Sequence, residues 1–305
     1  MSSKKPLIVI TGPTATGKTD FSIKLAREIG GEVISADSMQ VYKGLDVGTD
    51  KVSREIREEI PHHLIDVVEP TEEFSVADFV READRAIREI WQRDRYPIVV
   101  GGTGFYIKAL LYGPPQTPPS DENIRKELRS LPTELLYREV LKVSPEYAKK
   151  VGPKDRKRLI RALEVYRLTG KPITEFKPWG ERPRYPFIGY FLYRARPELY
   201  RRIEDRVESQ VKRGLVREAR ELLSLGEGLT AQQALGYKEM AGYIRGESSL
   251  EEAKELLKRR TKAFAKRQFT WFKGEPGFKW VNLSEVKEEE LLKMVKEDLA
   301  SFKGE

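Results

Sequence analysis

Residues 12–19, "GPTATGKT", stand directly after a short apolar run, "PLIVIT" (6–11). The spacing of Gly12, Gly17, Lys18 and Thr19 is that of a phosphate-cradling P-loop. Such a loop aims its backbone N–H groups and a helix N-terminus at an oxyanion. Its lysine neutralises a terminal phosphate, and its threonine hydroxyl is an Mg²⁺ ligand. A solvent-exposed glycine turn would account for neither the preceding strand nor Thr19. The motif therefore asks for a buried strand that feeds a helix, as in a parallel sheet.

The chain continues in that pattern. Phe21, Leu25, Ala26 and Ile29 mark the helix after the loop, which stops at Gly30-Gly31. "EVISADS" (32–38), "HHLIDVV" (62–68) and "PIVVGG" (97–102) read as further strands. Ser75 and Asp78 form an approximate capping box for a helix whose apolar face runs to Trp91. Another helix passes through Tyr106, Ala109 and Leu110. "GPPQTPP" (113–119) is a linker signal, and 120–170 reads as short helices only. "FIGYFLYR" (187–194) returns as a strand, followed by long helical patterns at 197–225 and 249–273. The expected fold is α/β: a P-loop NTPase-like parallel sheet flanked by helices. The expected domains are 1–113, a helical insertion over 114–185, and 186–305 completing the core.

A P-loop alone does not say whose phosphate is held, and composition narrows the choice. The 305 residues carry a formal net charge of +8, and a basic surface suits a polyanion, nucleic acid first. The absence of cysteine excludes disulfides and thiolate chemistry. No apolar run approaches membrane-spanning length, and "MSSKKPLIVIT" is too short for a signal peptide, so the cytoplasm is the expected compartment. In the insertion, Lys154, Lys157, Arg158 and Arg161 recur on one face of a helix whose other face is apolar. Between Lys258 and Lys273 no acid interrupts Arg259, Arg260, Lys262, Lys266 and Arg267. Phe264 and Trp271 lie among them and are expected in the core, because they continue the stripe of Leu250, Ala253 and Leu257.

A hydrolytic site usually adds an Asp after a later apolar strand, but "PIVV" ends in Gly101-Gly102-Thr103. The available carboxylate is Asp37, at the end of the second strand, where side chains point into a ligand crevice. Gln40 and Tyr42 follow it and offer polar and stacking contacts to a base. His62 and His63 face opposite sides of a strand and are expected to be structural. A small-molecule kinase, an RNA-binding protein whose P-loop senses nucleotide, and a transferase acting on free adenine nucleotides all remain open on these residues.

Longer stretches resemble one family. "GPTATGKT", "ISADSMQVYKGLDVGTDK", "PHHLIDVVEP", "FSVADF", "VVGGTGFYIKALLYG", "RLIRALEVYRLTGKP", "ALGYKEM" and "AKRQFTWFK" are similar, in order and over nearly the whole chain, to tRNA dimethylallyltransferases. The resemblance implies transfer of a dimethylallyl group from dimethylallyl diphosphate to N6 of the adenosine 3′ of the anticodon, with diphosphate leaving. It implies Asp37 as the base, with Thr103 at the target nucleotide and Lys18 on the leaving group. Gly12, Pro13, Thr14, Ala15, Thr16, Gly17, Lys18 and Thr19 would bind the diphosphate, Thr19 with Mg²⁺, and either Arg202 or Arg206 would join them. Asp37, Ser38, Met39, Gln40 and Thr103, Arg125, and Lys157, Arg158, Leu159, Ile160 and Arg161 would contact the tRNA anticodon stem-loop. A monomer away from any membrane is expected.

Overall fold

The run Leu7–Thr11 forms strand β1 with all five residues buried, as a strand covered on both faces requires. The computed structural model describes residues 5–226 and 228–302. After β1 come α1 (Lys18–Ile29), β2 (Gly31–Ser35), α2 (Arg54–Glu59), β3 (His62–His63), α3 (Val76–Gln92), β4 (Tyr96–Gly101) and α4 (Gly104–Tyr112). Four short helices follow: α5 (Glu122–Ser130), α6 (Thr133–Val143), α7 (Pro145–Val151) and α8 (Arg156–Thr169). The chain closes with β5 (Phe187–Tyr193), α9 (Arg196–Lys212), α10 (Leu215–Ser224), α11 (Tyr237–Ile244), α12 (Leu250–Phe272), β6 (Phe278–Asn282) and α13 (Glu288–Ser301).

The strands form one sheet in the order β3-β2-β4-β1-β5-β6, and every pairing is parallel. The P-loop strand thus lies between β4 and β5, and its C-terminal end opens at the edge where ligands of parallel sheets bind. On one face, Phe21 and Leu25 of α1 and Leu291 and Val295 of α13 share a core with Ile8, Ile10, Ile98 and Leu192. The helix α3 packs against β2 and β4. Its start carries the expected capping box, Ser75 with Asp78.

Three elements differ from the sequence reading. β3 has two residues instead of seven, because Leu64 and Asp66 take positive φ (63° and 57°), which a strand cannot continue through. The pattern at 197–225 is two helices, broken where Gly214 turns at φ 106°. β2 ends at Ser35, so Asp37 stands in the following loop. The helices α2, α11 and α13 and the strand β6 are additions.

Two compact units divide the chain, one comprising residues up to 111 and from 184 on, the other Tyr112–Pro183. The second unit has its own core, centred on Leu128, Leu136, Val140, Leu159 and Leu163. Within it lies a fully buried carboxylate, Glu164, paired with Arg125 Nε at 2.9 Å and Arg161 Nη1 at 2.5 Å. Glu164 also accepts the Asp121 N–H at 2.7 Å. Removing one member of such a network strands the rest in low dielectric. Glu164→Ala is expected to destabilise the helical unit by about 3–5 kcal/mol. Urea unfolding followed by circular dichroism measures this, and a loss below about 1 kcal/mol, the worth of an exposed ion pair, would refute it.

Candidate active site

The loop 12–17 depends on its glycines. Gly12 has φ 139°, and a Cβ there would fall 2.0 Å from the Leu192 carbonyl oxygen of β5. The Thr16 hydroxyl closes the loop on Pro13 O at 2.9 Å, and Lys18 Nζ donates to the same oxygen at 2.6 Å. Three arginines surround this ring. Arg194 Nε donates to Thr16 O (2.9 Å), Arg202 Nε to Ala15 O (2.7 Å) and Arg206 Nη1 to Thr14 Oγ1 (2.7 Å). Arg202 and Arg206 lie one turn apart on α9 and so reach the loop together. Both therefore touch the loop itself, Arg202 at a carbonyl and Arg206 at a hydroxyl. Arg194 was missed; its signal was a basic residue at the C-terminal edge of the strand next to β1.

A second loop is fixed across from the first. Arg206 Nε pairs with Asp50 at 2.7 Å, and Arg213 pairs with the same carboxylate. Gln210 Nε2 reaches Gly48 O at 3.0 Å and Asp50 Oδ2 at 3.2 Å. The buried carboxylate of Glu218 accepts the N–H groups of Asp46, Val47 and Gly48 at 2.8–2.9 Å and the Tyr237 hydroxyl at 2.5 Å. None of these anchors stood out in the sequence, because each joins segments more than 150 residues apart except Tyr237 to Glu218.

Asp37 follows β2. Its Oδ1 accepts the Met39 N–H at 2.8 Å, a local turn that fixes the carboxylate's direction. The Thr103 hydroxyl accepts the Ser38 N–H at 3.2 Å, tying the loop after β4 to the loop after β2. Gln268 of α12 then joins the loops, its Oε1 taking Thr14 N–H at 3.0 Å and its Nε2 donating to Gly102 O at 2.9 Å. Lys18, Thr19, Asp37, Thr103, Arg206 and Gln268 line one cavity of about 340 Å³. Val33, Val52, Ile65 and Val100 give it an apolar wall. Burial, then the nearby Arg206, push the Lys18 amine down to about 7, and Asp37 partly opposes them. His62 also lines the cavity; its Nδ1 is bound to Ile60 O at 2.7 Å, and burial lowers its pKa. His63 faces the other way and binds Glu32, so both histidines carry structural contacts.

The model of the IPP transferase family matches residues 40–275, and an isopentenyl transferase model matches 5–61. A tRNA dimethylallyltransferase of Citrifermentans bemidjiense is 48% identical over 91% of this chain and 92% of its own. One from a Sulfurihydrogenibium strain is 47% identical, covering 94% of each. The chain belongs to the tRNA dimethylallyltransferase family. Among solved structures, a tRNA isopentenylpyrophosphate transferase of Bacillus halodurans is 40% identical and superposes with a TM-score of 0.73 over 97% of both chains. A eukaryotic dimethylallyltransferase, caught in crystallographic snapshots acting on tRNA, is 31% identical with a TM-score of 0.78, over 97% of this chain and 80% of its own.

For a member of this family, the residues expected to meet tRNA are placed unevenly. Ser38, Met39 and Gln40 line the cavity with Asp37. Gln40 is already engaged, by Ser35 Oγ at 2.8 Å and Thr49 O at 3.1 Å. Tyr42 is 1% exposed inside a core with Val207 and Leu215, so it offers no base a stacking face. Leu159 and Ile160 are core residues of the helical unit, and their side chains do not face outward. Arg125 and Arg161 are spent on Glu164. Lys157 and Arg158 are exposed, with Arg158 only 3.5 Å from Asp155. On α12, Lys258, Arg260 and Lys262 pair with Glu208, Glu239 and Glu204. Arg259, Lys266 and Arg267 make no ion pair among the described residues. The uninterrupted basic run is thus half consumed within the fold.

It follows that Lys157→Ala with Arg158→Ala should lower the log–log salt slope of RNA binding by about two, roughly one for each phosphate no longer neutralised. Adding Arg161→Ala should leave the slope almost unmoved. Filter binding between low and moderate salt checks this, and an unchanged slope in the double variant would make the face merely solvated.

Proposed function

We propose that this family member transfers a dimethylallyl group from dimethylallyl diphosphate to N6 of the adenosine 3′ of the anticodon in tRNA. The observation that carries the reading is that Lys18, at the start of α1, and Asp37, in the loop after β2, line one cavity, with Arg206 near the lysine. The diphosphate lies on the P-loop. Lys18, Arg202 and Arg206 would take up the charge that develops as the allylic carbon–oxygen bond breaks. The bonding pair leaves with the diphosphate. The adenine amino nitrogen bonds to the allylic carbon and gives its proton to Asp37. The apolar wall excludes water from the electron-poor carbon.

The donor set also fits Mg²⁺, a hard cation that keeps waters and leans on substrate phosphates. The Thr19 hydroxyl lines the cavity, and among the described residues no cluster of three or more His, Asp or Glu exists to cage a metal alone. Thr19 and the diphosphate oxygens would hold the ion, which supplies further charge neutralisation on the leaving group. No described helix is long and apolar enough to cross a membrane. The reading is of a monomer that works beside its tRNA in the cytoplasm.

Mass spectrometry of tRNA nucleosides after incubation with dimethylallyl diphosphate and Mg²⁺ tests the reaction. Gain of one five-carbon unit on the adenosine is expected. RNA-stimulated ATP hydrolysis without that gain would replace this reading with an ATPase or kinase.

A further inference from the structure

Trp271, the penultimate residue of α12, is not in the core, unlike Phe272 beside it. Trp271 keeps 36% of its surface exposed, although its sequence stripe reads as buried. Its ring is seated on the backbone of Gly104, where a Cβ would fall 2.4 Å from the indole Cδ1 and Nε1. Gly104 directly follows Thr103, which lines the cavity. Phe105, 40% exposed, meets the indole edge-on, with ring centroids 6.4 Å apart at 76°. One helical turn before Trp271 stand Arg267 and Gln268, both in the cavity wall. Arg267 makes no ion pair among the described residues and lies 5.6 Å over the ring of Phe264, another wall residue. A large, rigid, partly exposed indole thus sits just beyond the Thr103 side of the cavity, one turn from a cation that makes no ion pair among the described residues.

Resting on the proposed reaction, we infer that Trp271 is a stacking platform for the nucleobase next to the target adenosine. A target base turned out of its loop loses its stacking partner on each side. An indole offers a neighbour a π-face of any sequence, and Arg267 suits the adjoining phosphate. Phe105 packs against the indole at a steep angle and helps to fix its place. Trp271 would then be a positioning residue, acting on the RNA and not on the reacting atoms.

The test is a double-mutant cycle on binding. Anticodon stem-loops carry an abasic nucleotide immediately 5′ or 3′ of the target adenosine. Their dissociation constants are measured with the wild type, Trp271→Leu and Trp271→Phe. Loss of the indole should weaken binding of the intact stem-loop about tenfold. At one of the two flanks the abasic site should cost the Leu variant nothing more, and the Phe variant should recover most of the loss. Costs that simply add at both flanks would overturn the inference, as would unchanged affinity in Trp271→Leu. Dimethylallyl diphosphate binding without RNA, measured in parallel, shows that each variant has an intact site. Because the cycle reads binding and not transfer, it stands apart from the nucleoside mass test. A wild type that binds the stem-loop without prenylating it would sink the reaction and leave the platform standing.

Discussion

Asp37→Asn should lower the single-turnover rate of prenyl transfer by at least about a hundredfold, the scale of losing a general base, with RNA affinity within about twofold of wild type. The asparagine choice matters because Asp37 has two visible jobs. Its Oδ1 holds the Met39 N–H at 2.8 Å, and an amide oxygen can keep that bond. An amide cannot accept a proton from the adenine nitrogen at neutral pH. Asp37→Ala removes both functions. If the carboxylate only shaped the turn, Asn would work nearly as well as Asp while Ala failed. If it is the base, Asn and Ala should both be slow. Single-turnover rates with preformed protein–RNA complex separate the cases, and an Asn variant within about threefold of wild type would end the assignment.

What could be read beforehand follows from range. The P-loop, its strand and its helix are written within about two dozen residues, and the periodicity of α1, α3 and α12 is local. Gly30 closes α1 at φ 66°, as a glycine after the last apolar position should. The failures came where burial and partners outside the local pattern decide. Seven residues from His62 on have the composition of a strand. Asp66 instead bends at positive φ to reach Lys51 and Arg57, at 2.5 and 2.7 Å, and the strand stops after two. Tyr42 looks like a ligand residue beside Asp37 until α10 and α11 cover it. Arg161 looks like part of a free basic face until Glu164, on its own helix three residues on, proves to be fully buried. Trp271 errs in the opposite sense: the stripe that α12 buries runs through Leu257, Thr261, Ala265, Gln268 and Phe272, and Trp271 stands one position off it. The final helix was legible, since Leu291, Leu292 and Val295 follow a helical stripe, and it simply lay outside the motifs.

Lys18→Met should cut the transfer rate on the order of a hundredfold to a thousandfold, the cost of removing one preorganised donor from developing charge. It should also abolish a pH signature that the wild type carries. Without ligand, burial and Arg206 hold the Lys18 amine at about 7 against its ordinary 10.5. At pH 8 most copies are therefore neutral. A bound diphosphate puts several negative charges beside the amine and restores its proton. Dimethylallyl diphosphate itself is already close to fully ionised there, since phosphate groups of this kind have a last pKa of about 6. Binding at pH 8 should thus take up nearly one proton, binding at pH 6 almost none through this group, and affinity should fall as pH rises above 7. Titration calorimetry at pH 8 in two buffers of different ionisation heat reads the uptake directly. Misfolding does not explain a loss in the Met variant. A base whose pKa is depressed on folding is protonated more readily in the unfolded chain, so below about pH 7 its full desolvation penalty weighs against the native state. That penalty fades between about 7 and 10.5. Lys18→Met removes it and should leave thermal stability at neutral pH equal or higher. Wild-type binding without proton uptake at pH 8, or uptake that persists in the Met variant, would mean that Lys18 is not the group the diphosphate meets.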